Sequence, residues 1–126
     1  MRRVWLLVCV VAAVTAFACA KSSAIRDAGI DELHDALGKP GTVLVNVHLD
    51  SDIKSKTTFI AGEIHVPVDA LRQRLDQIPK DANVYLVSDD YHDVVTAANI
   101  LADAGYPFVY RVTAGFAAYR SKYPAK

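Results

Sequence analysis

The sequence predicts an α/β domain in three layers, a mostly parallel sheet flanked by helices, and two observations carry that prediction. Three short runs, 42–47 (TVLVNV), 83–87 (NVYLV) and 108–112 (FVYRV), are rich in β-branched residues and apolar at most positions, as strands buried on both faces are. Segments of helical spacing separate them, so strand and helix alternate along the chain. A length of 126 residues fits one domain, and 52% hydrophobic against 22% charged residues excludes a disordered tail. The charges balance at 14 basic and 14 acidic, so no basic stripe is available for nucleic acid.

The N-terminus precedes the fold. Met1, Arg2 and Arg3 form a positive start, and residues 4–18 (VWLLVCVVAAVTAFA) follow without a charge. As a helix of about 15 residues this run spans roughly 22 Å, short of the ~30 Å of a hydrocarbon core. A short apolar core behind two arginines reads as an export signal over residues 1–18, with an uncleaved membrane anchor as the alternative. Ala16-Phe17-Ala18 fits a small-x-small cleavage site, and with Cys19 it resembles a bacterial lipobox, in which that cysteine is lipidated. Residues 19–24 then form a hydrophilic tether and 25–123 the domain. Loss of residues 1–18 removes Arg2, Arg3 and Cys9, leaving 12 basic and 14 acidic side chains and Cys19 alone among cysteines. The expected location is therefore the periplasm or a membrane surface, with the membrane reached through lipid on Cys19.

Within the domain, apolar residues at 30, 33, 36 and 37 predict a first helix over 30–37, stopped by Gly38, Pro40 and Gly41. The strand 42–47 follows, then a polar stretch over 50–58. Residues 64–67 (IHVP) predict a short strand ended by proline, and Asp69 a helix over 70–77. The strand 83–87 leads through Ser88-Asp89-Asp90-Tyr91-His92-Asp93 into an apolar helix over 94–104, with Asp90 or Asp93 as its cap and Gly105 as its stop. The strand 108–112 precedes a last short helix opening at Gly115. Ligands of such sheets lie beyond the carboxyl ends of the strands. The candidate site residues are therefore His48, Ser88, Asp89, Asp90, Tyr91, His92 and Asp93.

The chain resembles the rhodanese homology domain over roughly residues 25–119. Asn46-Val47-His48 stands where that family has Asp-Val-Arg, and Asp52-Ile53 where it has an acid followed by an aromatic. Ile60, Gly62, Pro67 and Asp69 keep their places in its Gly-His-Ile-Pro-Gly-Ala-x-Asn-Ile-Pro motif. Ala104-Gly105-Tyr106 and the segment from Val109 through Gly115 to Tyr119 follow its closing pattern, with Ala114 in place of glycine and Tyr119 in place of tryptophan. The resemblance implies a five-stranded sheet and, as family activity, thiosulfate sulfurtransfer by a cysteine directly after the central strand, often with an arginine five residues on. Counting back from Ala97-Ala98 puts that cysteine at Ser88 and that arginine at Asp93.

Sulfur transfer needs a low-pKa thiolate, and the loop amides and helix N-terminus must cradle an anion. A serine hydroxyl is no comparable acceptor. One carboxylate about 7 Å from the anion repels it by roughly 2 kcal/mol at an effective dielectric of about 20. The expectation is a non-catalytic module that binds an unidentified protein or small molecule in the envelope, with no catalytic residue intact and no cofactor. One alternative is a divalent cation held by the acidic loop 88–93 with His48 or Asp50. Another is residual sulfurtransferase or serine-dependent hydrolase activity, with Ser88 as nucleophile and His48, His65 or His92 as base.

Overall fold

The computed structural model describes residues 24–49, 60 and 62–124. The expected signal 1–18, Cys19, most of the tether, and Asp50 and Asp52-Ile53 of the polar stretch lie outside the described residues.

Five parallel strands form one sheet in the order β1-β5-β4-β2-β3, with β1 Ala24–Ala28, β2 Thr42–Asn46, β3 Ile64–His65, β4 Asn83–Val87 and β5 Phe108–Val112. The helices are α1 Ile30–Ala36, α2 Tyr91–Asp103 and α3 Phe116–Lys122. Alternate side chains of the strands serve two separate cores, as a pleated sheet buried on both faces requires. On one face Val45, Val84, Leu86 and Val109 pack with Leu71, Ile78 and the apolar stripe Val94, Ala97, Ala98 and Leu101 of α2. On the other face Leu44, Tyr85, Val87 and Val112 pack with Leu33 and Ala36 of α1 and Phe116 and Tyr119 of α3. The Tyr85 and Tyr110 rings, register partners on β4 and β5, stack at 4.4 Å on this second face.

Four elements differ from the sequence expectation. The strand Ala24–Ala28 pairs along its whole length with β5, although its sequence AIRDA carries only one large apolar residue. It is an edge strand, and an edge tolerates Arg26 and Asp27. The expected helix over 70–77 is two 3-10 segments, Val68–Gln73 and Leu75–Gln77, held by bonds three residues apart such as Arg74 N to Leu71 O and Ile78 N to Leu75 O. Helix α2 begins at Tyr91, one turn before its apolar stripe, because Asp90 rather than Asp93 caps it. The short strand β3 keeps only Ile64 and His65, yet Val66 N and Val68 N still donate to Asn46 O and Val47 O, on either side of a proline with no N–H to give.

The strand order fixes where a site belongs. From β2 the chain crosses to β3 on one side, and from β4 it crosses to β5 on the other. The adjacent carboxyl ends of β4 and β2 are thus the topological switch point, where α/β sheets open a crevice.

Candidate functional site

Three of the residues singled out from sequence meet at that switch point. Ser88 follows β4 directly, His48 follows β2, and both are buried, at 3% and 8% exposure. His48 Nδ1 lies 3.0 Å from Ser88 Oγ. Asp93, on the first turn of α2, is turned inward (7% exposed), and Ser88 Oγ donates to its Oδ2 at 3.4 Å. The backbone N–H of Asp90 donates to the same Oγ at 3.1 Å. A serine hydroxyl has one hydrogen and two acceptor positions. With Asp93 ionised, the hydrogen goes to its carboxylate and the two lone pairs take Asp90 N–H and His48 Nδ1–H. Ser88 is then saturated, and His48 is its donor rather than its base.

The loop carboxylates are also used by the loop itself. Asp90 Oδ1 accepts from His92 N at 2.9 Å and caps α2. Asp89 Oδ1 reaches across to Phe116 N at 2.9 Å and ties the loop to the start of α3. Gly115 makes this approach possible, since a β-carbon there would stand 2.7 Å from Asp89 Oδ1 and 3.2 Å from Asp89 Cα. Its φ of −79° is open to any residue, so the constraint is space and not backbone conformation.

A second set of buried polar groups supports His48 from below. Asn46, fully buried, accepts from His48 N at its Oδ1 (3.0 Å) and donates from Nδ2 to Glu63 Oε1 (3.2 Å). Glu63 Oε2 accepts from Ile60 N, and His65 Nε2 donates to His48 O. Asn46 entered the sequence reading only as a family match, and Glu63 not at all. The available signal was a lone polar residue near the end of an apolar run, TVLVNV, which has to find partners once buried. Burial raises the Glu63 carboxyl above its ordinary range against the hydrogen bonds from Asn46 and Ile60. Burial, then the nearby Asp90 charge, likewise raises Asp93, against the pull of Ser88, His48 and His92.

The remaining sequence candidates are not gathered here. Tyr91 donates from its hydroxyl to Asp27 on β1 at 3.3 Å, beside the Arg111–Asp27 ion pair at 2.8 Å. His92 is exposed on the outer side of the first turn of α2. Among the described residues no group of three or more His, Cys, Asp or Glu side chains is placed to hold a metal ion. Tyr106 and Tyr119 are core residues: the Tyr106 hydroxyl reaches Leu75 O and Ile78 O at 2.8 Å, and Tyr119 shares a 3.0 Å hydrogen bond with His34. Among the described residues no helix is long and apolar enough to cross a membrane.

No family model matches the chain. It is 31% identical over 78 residues to the thiosulfate sulfurtransferase GlpE of Tolumonas auensis, covering 59% of this chain and 74% of that protein. Among solved structures it superimposes on reduced CoADR-RHD of Bacillus anthracis with a TM-score of 0.68 and 28% identity, over 79% of this chain but only 17% of that one. A rhodanese-like domain protein of Staphylococcus aureus matches with a TM-score of 0.65 and 20% identity, over 75% of this chain and 90% of that one. A rhodanese-related protein of Thermoplasma volcanium gives the same TM-score, 0.65, at 15% identity, over 77% and 92% of the two chains.

Proposed function

Because this chain belongs to the rhodanese-like family, we propose that it is a member that no longer transfers sulfur and serves as a binding or interaction module held in the cell envelope. One observation carries the reading: the side chains of the loop after β4 turn onto its own amides at Asp90 and His92 and onto the start of α3. Ser88 stands where the resemblance puts the family's nucleophilic cysteine, and Asp93 where it puts arginine. A sulfur-transferring loop keeps its amides and helix N-terminus free for an anion. Here Asp90 takes His92 N–H, Ser88 takes Asp90 N–H, and Asp89 takes a distant amide at Phe116. The chain supplies its own acceptors where the family's substrate would bind, and it adds like charge around them.

The same geometry weakens the other readings. Serine hydrolysis needs a base that accepts the serine proton. With Asp93 ionised, the Ser88 proton goes to Asp93, and His48 gives a hydrogen instead of taking one. Cation binding needs convergent oxygens, whereas Asp89, Asp90 and Asp93 serve three separate internal partners. The envelope location rests on the apolar run 4–18 and on Cys19.

The test is a thiosulfate:cyanide sulfurtransfer assay on the mature chain. Background rates are expected. Activity that survives Cys19→Ser would overturn the reading, because no other cysteine remains after residue 19.

A further inference from the structure

We propose that the domain stands on the bilayer with the amino-terminal rim of its sheet, seating Phe108 at the membrane surface, and turns the Ser88 mouth away from it. The inference rests on the tether in the reading above. All five strands run the same way, so the sheet has two unlike ends. The strand that receives the tether, β1, begins at Ala24 on the rim opposite Ser88, and Ala24 is the register partner of Phe108. Phe108 is 49% exposed, the most exposed large apolar side chain of the described residues. The apolar side chain and the point of chain entry therefore coincide.

Length favours the orientation. From Cys19 to Ala24 the chain advances five residues, which reach at most about 18 Å when fully extended. Helix α2 runs from the mouth at Tyr91 to the rim at Asp103, and its 13 residues measure about 20 Å at 1.5 Å each. A mouth-down domain would hold Ala24 about 13 Å or more above the surface, the length of β1, and would demand a nearly extended tether, whereas a rim-down domain needs none. The mouth is thereby presented to partners on the aqueous side.

The experiment uses the full chain in host membranes. A polarity-sensitive thiol fluorophore is placed at Phe108→Cys, or at His92→Cys beside the mouth, with the unsubstituted chain as the blank for Cys9 and Cys19. Lys39→Cys, on the same rim as Phe108, repeats the reading should Phe108→Cys fold poorly. Blue-shifted emission and quenching by a bilayer-resident quencher are expected at positions 108 and 39, and neither at 92. Equal signals at both ends, or the stronger signal at 92, would overturn the orientation while the tether stands. Recovery of the chain in the soluble fraction would overturn the tether and the orientation together.

Discussion

Ser88→Ala probes the self-satisfied loop through stability. The substitution removes one oxygen with three partners: His48 Nδ1, Asp93 Oδ2 and Asp90 N. Asp90 is exposed, so its amide turns to water at little cost. His48 and Asp93 are buried and do not recover a partner so easily. A buried polar group left unpaired costs about 1–3 kcal/mol. The Asp93 contact is long at 3.4 Å and contributes at the low end. The sum is about 2–3 kcal/mol, or a fall in Tm of about 10–20 °C for a domain of this size. Urea unfolding of the mature chain at neutral pH, followed by circular dichroism, reads it as a lower midpoint at unchanged slope. A serine standing free as a nucleophile would cost less than about 0.5 kcal/mol on truncation. That smaller result would refute the saturated-hydroxyl argument.

Gly115→Ala has an allowed backbone but no room, since the new methyl meets Asp89 at 2.7 Å. A loss of about 1–3 kcal/mol in the same unfolding measurement is expected, with faster hydrogen exchange at Phe116 N as its bond to Asp89 opens. Asp93→Asn is expected to flatten part of the pH dependence of stability. Burial raises the Asp93 carboxyl above the ordinary 3.8, so the folded chain holds its proton more tightly than the unfolded chain does. Stability from this group is full below 3.8 and falls as pH rises through the higher folded value. The wild-type chain should therefore lose stability relative to Asp93→Asn as pH climbs from about 3.8, read from urea midpoints across that window.

The sequence made the central sheet legible and left the polar support of the site hidden. Strands β4 and β5 were bounded correctly from NVYLV and FVYRV because strands buried on both faces carry little but apolar and β-branched residues. Strand β1 has no such signature: at an edge, Ile25 is flanked by Arg26 and Asp27, and the pairing comes wholly from β5. The start of α2 was expected at Val94, where the apolar stripe begins, but the helix begins where its cap sits, at Asp90. Ser88, His48 and Asp93 were named from their places after strands, and the structure brings all three together. Asp89 and Tyr91 were named for the same reason, and the structure sends them to Phe116 and Asp27. Position after a strand says that a residue is near the mouth, whereas its direction depends on partners far along the chain. Asn46 and Glu63 form a pair only through the parallel register of β2 and β3, which local sequence does not encode.

The most direct measurement is a thiosulfate titration of the folded, isotope-labelled mature chain, following the backbone amides of Asp90, His92 and Phe116 by nuclear magnetic resonance. The account predicts no saturable shift at these amides, because Asp89, Asp90 and Ser88 already occupy Phe116 N, His92 N and Asp90 N. A saturable shift at these three amides would show an open anion cradle and contradict the account.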